Sequence, residues 1–382
     1  MGSCVCQLHV HNVDKGTVTN KDVMGSQDNN SNSIIDIVSS NSVMIARDKK
    51  YELNWIKNFE KKLPEIGSYI SMEEFNNLFD ERITNIMQKT RLKYNYTPNN
   101  TGIFSLKPIK FKNNNIYKGT WNKNNEMEGY GIYYIDDRKL ITEGIWVKGN
   151  IIYGRIFFPE GDIYEGEMKN SQPDGKGEYI YSNEDRYKGD FKDGKMTGFG
   201  NFKYHKDKAE YNGYVENGFF NGSGKMKWDN GTEYSGNFTD SSLEGTGEIT
   251  NIQKEKYHGN FCKNEFNGEG VYFYNNGDKY IGNFEYGIKR GKGKYITNTG
   301  IIFEGDWNDD LPNGNGVLSF QNKKLKGFWR NGIFIGNADL DEDIGIDKDI
   351  KPNKVTIYPS SLSHLAMTDS NASQFILGND FI

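Results

Sequence analysis

A triplet of the form aromatic-x-Gly-x-aromatic recurs about every 23 residues between positions 117 and 329, and this period leaves the chain little choice of fold. Full copies are Tyr117/Gly119/Trp121, Tyr187/Gly189/Phe191, Tyr234/Gly236/Phe238, Tyr257/Gly259/Phe261, Tyr280/Gly282/Phe284 and Phe303/Gly305/Trp307. Tyr164/Gly166/Met168 and Tyr211/Gly213/Val215 keep the first two positions, and degenerate copies stand at Thr142/Gly144/Trp146 and Leu325/Gly327/Trp329. Successive triplet glycines lie 22–25 residues apart. A repeat this short cannot bury its own apolar face, so neighbouring copies must bury it for one another.

A second element follows each triplet by about ten residues. It is Gly-x-Gly with apolar residues alternating behind it, as in Gly198/Gly200/Phe202/Tyr204 and Gly268/Gly270/Tyr272/Tyr274. Alternation at i, i+2, i+4 puts these side chains on one face of a strand. Each unit therefore reads as one β-hairpin. Asp193-Gly194 and Asn217-Gly218 supply the positive φ of tight turns within hairpins, and Asn230-Gly231, Asn276-Gly277 and Asn331-Gly332 are expected between them. Glycine inside a strand costs stability. Its repetition in register is expected to make room for the aromatic ring of a neighbouring strand. This explains why 44 Gly and 53 aromatics coexist in 382 residues, a combination foreign to flexible linkers and to collagen.

Two coupled submotifs in fixed phase resemble the MORN repeat, in about ten copies over residues 111–338. The resemblance implies an all-β fold, an elongated single-layer antiparallel sheet of about ten hairpins. It also implies a scaffold or interaction role, since similar proteins act at cortical membrane skeletons, and the array is a candidate phospholipid-binding module.

Other classes are excluded by what is missing. No P-loop, GxSxG or HExxH motif is present, and the many GxG pairs belong to strands rather than to loops opening helices. MORN arrays are found fused to kinase domains, but neither flank here carries kinase motifs. The reading is therefore no enzyme, no catalytic residue, no cofactor and no metal. Asp339, Asp341 and Asp343 fail as an EF-hand because Ile344 and Ile350 fall where the loop needs Gly and Glu. His205 and His258 are expected as exposed sheet residues. A net charge of -5 argues against nucleic acid as a partner. No apolar run reaches the ~18 residues of a transmembrane helix, and the N-terminus does not read as a secretory signal.

The N-terminus reads Met1-Gly2-Ser3-Cys4-Val5-Cys6. Gly2 is a candidate N-myristoylation site, although Cys6 stands where the usual motif has Ser or Thr. One myristoyl chain binds membranes only marginally, and Lys15 is the sole basic group among the first twenty residues. The second anchor would then be S-palmitoylation at Cys4 and Cys6. Two other readings of these residues are an ordinary second glycine, and a tight zinc site from Cys4, Cys6, His9 and His11.

Four regions result: an acylated, mostly disordered tether (1–45), a helical segment and linker (46–110), the array (111–338) and an acidic tail (339–382) with 8 acidic against 3 basic residues. Within the second region, Ser71-Met72-Glu73-Glu74 matches a capping box, and Phe75, Leu78, Phe79, Ile83, Ile86 and Met87 predict one amphipathic helix over 72–91. A weaker helix is expected over 46–62. The helices are expected to cap the first hairpins; the alternative is that the second one docks a partner or dimerises. The expected function is a non-catalytic scaffold held by acyl chains on the cytoplasmic face of a plasma or underlying inner membrane, of pellicle type. Its sheet would present an aromatic and polar groove to protein partners of a membrane skeleton, with a homodimer as a further candidate. The alternatives are the lipid-binding array, drawing on Lys289, Arg290, Lys292 and Lys294, and a soluble axonemal or cytoskeletal component.

Overall fold

The computed structural model describes residues 66–90, 92, 104–336 and 356–357. Gly2, Cys4, Cys6, the helix expected over 46–62 and nearly all of the acidic tail lie outside the described residues. The chain divides into two compact units. One comprises residues 47–229 and 239–241, the other 1–46, 230–238 and 242–382.

In the first unit the strands are β1 (Ile66–Tyr69), β2 (Phe104–Ser105), β3 (Ile109–Phe111), β4 (Ile116–Trp121), β5 (Met127–Ile135), β6 (Leu140–Val147), β7 (Asn150–Phe157), β8 (Ile163–Lys169), β9 (Gln172–Ile180), β10 (Arg186–Lys192), β11 (Lys195–Lys203), β12 (Glu210–Glu216) and β13 (Phe219–Lys227). From β4 to β13 each strand pairs antiparallel with the next. In the second unit β14 (Glu233–Thr239) is followed by β15 (Ser242–Thr250), β16 (Lys256–Cys262), β17 (Glu265–Phe273), β18 (Lys279–Glu285), β19 (Ile288–Ile296), β20 (Ile302–Asn308), β21 (Leu311–Phe320), β22 (Lys323–Arg330) and β23 (Ile333–Gly336). From β15 to β23 the antiparallel pairing again runs strand to strand.

Each repeat is one hairpin. Asp193 (φ 47°) and Gly194 (φ 80°) join β10 to β11, and Tyr286 (φ 50°) and Gly287 (φ 79°) join β18 to β19. Two successive positive φ values give the turn whose twist matches paired strands. Asn331-Gly332, expected between hairpins, makes the same kind of turn inside the last one, because β23 follows β22 and closes the hairpin. There the chain comes back to the sheet edge: Ile357 N–H donates to the Gly332 carbonyl at 2.9 Å, and Thr356 bridges Ile333.

The two glycines of each Gly-x-Gly serve different ends. The first adopts positive φ, as at Gly198 (64°), Gly268 (79°) and Gly291 (76°). It lies where the ladder slips by two residues just beyond the triplet glycine, a glycine bulge. The second glycine faces the triplet glycine of each neighbouring strand: Gly189↔Gly200↔Gly213 in the first unit, Gly259↔Gly270↔Gly282 in the second. The rings lie on this column of glycines. A Cβ at Gly270 would stand 2.5 Å from Tyr257 Cε2 and 2.6 Å from its Oη. The covering ring thus comes from two residues upstream on the triplet strand itself, and it reaches across to the next strand. At the Gly-x-Gly glycine the expectation of a neighbouring strand's ring therefore holds, since Tyr257 is on β16 and Gly270 on β17.

At the triplet glycines that expectation is corrected, because the ring comes from the same strand, with a different balance of obstacles from repeat to repeat. At Gly119, which pairs with Gly131, an added Cβ would stand 2.5 Å from Cζ of Tyr117 on the same strand and 2.7 Å from Gly131 Cα. At Gly166, which pairs with Gly154 and Gly177, ring and backbone obstruct equally: Tyr164 Oη and Gly177 Cα would each lie 2.5 Å away. At Gly305, between Gly293 and Gly316, the nearest obstacles are backbone, the Asn315 carbonyl and Gly316 Cα at 2.6 Å each. The Phe303 ring, which has no hydroxyl, stands off at 3.0 Å. Gly305 is therefore required first by close approach of the adjoining strand and only second by a ring. In all three repeats the ladder slips just past the triplet glycine, before Trp121, Met168 and Trp307.

The hydroxyl ends on the bulge. Tyr257 Oη donates to the Asn260 carbonyl at 2.8 Å, Tyr234 to Asn237 at 2.9 Å and Tyr211 to Tyr214 at 2.7 Å. Asn260 and Tyr214 are the residues that the ladder skips, so the phenol satisfies a carbonyl that the bulge takes out of the ladder. Aromatics of the next strands cover each ring. Tyr257 stacks on Phe266 at 3.7 Å and meets Phe284 edge-on at 5.2 Å; Tyr211 stacks on Phe220 at 3.6 Å.

Two helices precede the array, where the pattern predicts one. Ser71 Oγ accepts from Glu74 N–H at 3.0 Å and opens α1 (Met72–Asn76). Asp80 Oδ1 accepts from Ile83 N–H at 2.7 Å and starts α2 (Glu81–Lys89). Asp80 is thus a second N-cap that interrupts the expected helix. The apolar period survives the break because Phe75 and Ile83 enter one cluster with Ile116, Tyr134, Ile141, Phe157 and Ile163 of the sheet.

Candidate interaction surface

The face that carries the signature is closed. Tyr117, Tyr164, Tyr187, Tyr211, Tyr234, Tyr257 and Tyr280 are each 0% exposed, and Trp121, Phe191, Phe238, Phe261, Phe284, Phe303 and Trp307 are buried with them. Burial drives these phenols well above their ordinary pKa of 10.0, so they keep their protons at neutral pH. The rings are core, and the aromatic groove expected on the array is already filled by its own side chains. The signature glycines share this fate. Gly119, Gly166, Gly189, Gly213, Gly236, Gly259, Gly282 and Gly305 lie against these rings or the facing backbone, so they are packing positions and not contact positions for a ligand. What the signature residues leave open is the opposite, outer face and the edges.

One outer-face row shows how that surface is divided. In the first unit its register runs Ile116↔Tyr134↔Ile141↔Phe157↔Ile163↔Ile180 and then Arg186↔Lys203↔Glu210↔Lys227. Helices α1 and α2 cover the apolar half of this row. Arg82 fixes α2 by donating to the Gly161 carbonyl at 2.8 Å, and Arg155 donates to the Thr90 carbonyl at 2.9 Å. Arg155 is buried with Glu143, 3.5 Å away, and pairs with Glu165 at 2.8 Å. Burial raises the Glu143 carboxyl, while the Tyr130 hydroxyl, which donates to it at 2.6 Å, and Arg155 oppose that rise. No sequence motif marked this cluster; the apolar run at every rim position as far as Ile180 was the signal for it.

In the second unit the basic stripe is neutralised. Lys289 reaches Asp310 at 3.2 Å, Arg290 reaches Glu285 at 2.8 Å and Asp309 at 3.0 Å, Lys292 reaches Asp306 at 2.6 Å, and Lys294 reaches Glu304 at 3.2 Å. Lys289 does not face solvent at all. It occupies the inner position that Met196, Phe220 and Phe266 hold in other repeats, and its ammonium lies 5.6 Å from the Tyr274 ring. Burial lowers its pKa, against the pull of Asp310.

The outer face of the first unit also exposes a pair of aromatics. Phe199 (54% exposed) and Tyr214 (53%) face each other across β11 and β12, rings edge-on at 5.7 Å. The signal was available, because Tyr214 stands at the bulge position that holds Asn260, Asn283 and Asp306 elsewhere, and Phe199 stands where other repeats have Lys176 and Lys292. His258 lies exposed on β16 as expected, whereas His205 falls in the loop after β11. Among the described residues no group of three or more His, Cys, Asp and Glu is placed to hold a metal ion.

The hairpin geometry and its glycine column meet their counterpart among known families. Seven segments match the MORN repeat. They are residues 117–138, 164–186, 187–206, 211–233, 257–279, 280–301 and 303–324. The count is seven rather than about ten. Gly119, Gly166 and Gly305 fall inside matched segments. The copies around Gly144, Gly236 and Gly327 fall outside them, although the structure folds those segments into strands β6, β14 and β22. MORN repeats suggest a repeat-based interaction or scaffold role. No curated protein matches the chain. Similar solved structures include the TCP10 domain of Danio rerio CPAP in complex with a STIL peptide, at 12% identity and a TM-score of 0.33 over 56% of this chain and 99% of that one. Another is the SAS-4 (dCPAP) TCP domain of Drosophila melanogaster with a proline-rich motif of Ana2, at 12% identity and a TM-score of 0.22 over 46% of this chain and 83% of that one.

Proposed function

We propose that the protein is a non-catalytic scaffold, held on the cytoplasmic face of a membrane by acyl groups at Gly2, Cys4 and Cys6, which binds protein partners of a cortical membrane skeleton through the outer face of its MORN array. The observation that carries the binding half is the division of faces. The signature rings are spent on the core, while the outer face offers polar and ion-paired positions with the exposed Phe199–Tyr214 pair among them. A large exposed aromatic pair on a polar sheet is the composition of a protein-contact surface. Pairing of Arg290, Lys292 and Lys294 with carboxylates speaks against the alternative of simple electrostatic capture of anionic lipid, because free basic groups near the surface are what that mode needs.

The anchoring half is tested by fractionating cells that express the full chain with Gly2→Ala. Loss of the protein from the membrane fraction is expected, with mass spectrometry of the N-terminal peptide showing the acyl mass on the parent. Retention of the variant on membranes refutes the anchor and returns the lipid-binding array as the explanation. The binding half is tested by Phe199→Ser/Tyr214→Ser, which is expected to lose partners recovered by proximity labelling while staying folded and membrane-bound. An unchanged partner set refutes that use of the outer face.

A further inference from the structure

The rim row that α1 and α2 cover in the first unit turns apolar again in the second, with nothing described above it. Its register there runs Lys256↔Phe273↔Lys279↔Ile296↔Ile302. Val271 and Ile281 face each other one position inward. Phe273 is 41% and Ile281 39% exposed, large values for apolar side chains in an array whose other face is closed. The charges around this patch are uneven. Lys256 pairs with Glu248 at 2.9 Å and Lys294 with Glu304 at 3.2 Å. Lys279, in the middle of the patch, has no ion-pair partner among the described residues. An apolar occupant that carries a carboxylate would complement this surface.

We propose that the chain's own C-terminal segment around Phe375-Ile376-Leu377 docks on the Val271/Phe273/Ile281/Ile296 patch, with Asp380 meeting Lys279. Three observations select this segment. The tail does not leave the array freely, because Thr356 and Ile357 pin it to β23 at Ile333 and Gly332. It is long enough: the 18 residues from Ile357 to Phe375 span up to about 60 Å, while β18 lies five ladder steps from β23, about 24 Å. Its composition is complementary, since residues 339–382 hold 8 acidic and 3 basic groups and carry their bulkiest run of three apolar residues at Phe375-Ile376-Leu377. The first unit supplies the precedent within this molecule, where a flanking segment covers the same row of the sheet. The proposal goes beyond the scaffold reading and does not depend on it.

The test is disulfide trapping in the full, non-acylated chain carrying Cys4→Ser, Cys6→Ser and Cys262→Ala. Ile281→Cys is combined with Ile376→Cys. The control places Cys at Lys326, on the same outer face but on β22, nearer to the point where the tail is pinned. Under mild oxidation the 281–376 bond is expected to form about tenfold faster than 326–376, because docking raises the local thiol concentration. Adding Phe375→Ser/Leu377→Ser is expected to bring the first rate down to that of the control. Three results overturn the proposal: equal rates for the two pairs, a fast 281–376 bond that survives the serine changes, or a bond that mixed-mass samples show to join two copies. The last would assign the patch to a second copy. None of these outcomes bears on Gly2 or on the Phe199–Tyr214 pair, so the scaffold reading stands or falls separately.

Discussion

Gly270→Ala isolates the principle on which the array is packed. The three nearest atoms to an added Cβ all belong to one side chain: Tyr257 Cε2 at 2.5 Å, Oη at 2.6 Å and Cζ at 2.7 Å. The ring cannot retreat easily. It is stacked on Phe266 at 3.7 Å, flanked edge-on by Phe261 and Phe284 at 5.2 Å each, and tethered to the Asn260 carbonyl. Overpacking of a core of this kind costs about 1–3 kcal/mol. Backbone strain adds nothing, because Gly270, unlike Gly268 (φ 79°), does not need positive φ. The decisive experiment is a double-mutant cycle. Tyr257→Ala alone should cost about 3–5 kcal/mol. In that background Gly270→Ala should become neutral or stabilising by about 0.4–1 kcal/mol, since alanine narrows the unfolded ensemble and now has space. The coupling is therefore about 1–4 kcal/mol. Urea unfolding followed by hydrogen exchange in β16 and β17 reads it locally, as suits an array that opens piecewise. An equal cost of Gly270→Ala in both backgrounds would refute the claim that the ring is what excludes the Cβ.

Other predictions follow from the same contacts. Stability should fall steeply above pH 10: buried phenols have folded pKa values raised above the unfolded one, so the unfolded state binds fewer protons there, and each such tyrosine removes about 1.4 kcal/mol per pH unit. Alkaline titration should show tyrosinate absorbance appearing together with unfolding, and phenols ionising in a still-folded protein would contradict this. Lys289 acts in the opposite sense, because its lowered folded pKa makes stability rise as pH climbs toward 10.5, but it is one group against seven phenols. Lys289→Met should be neutral or stabilising by about 1–3 kcal/mol in thermal melts at pH 7, because it restores the apolar residue that other repeats carry and removes a buried charge; a loss of several kcal/mol would show that the Asp310 pair holds the turn. Asp80→Ala should cost about 1 kcal/mol and speed amide exchange selectively in α2, leaving β10–β13 unchanged.

The repeat was legible because its two submotifs impose the strand alternation, the turn chemistry and the glycine column together. Its finer geometry was not. A ring that covers Gly259 and Gly270 looks the same in sequence whether it comes from the same strand or from a neighbour, and the bulge at Asn260 decides between them. Nor does the motif distinguish Gly119, crowded by its own strand's ring, from Gly305, crowded by the adjoining backbone. The helix predicted over 72–91 hid its break because Phe75 and Ile83 face one patch on both sides of Asp80. The basic stripe misled for a related reason. The acids that neutralise Lys292 and Lys294 come from Asp306 and Glu304 on the adjoining strand, about ten or more positions away, where local charge counting does not look. The rim row was the most readable signal left unread: apolar through Ile180 and charged from Arg186 onward, it marks where the covering helices stop.

The bond from each tyrosine hydroxyl to the carbonyl three residues ahead joins groups of a single hairpin, and the glycine column presents the same bare backbone to whichever strand comes next. Repeat number is consequently a free variable. Excising residues 256–278 would bring β15 against β18, with Gly247 facing Gly282 as it now faces Gly259. Length could then change in steps of two strands, about 10 Å each, without new core chemistry. In such an array selection can set the distance between bound partners by counting hairpins, while it alters the outer face one residue at a time.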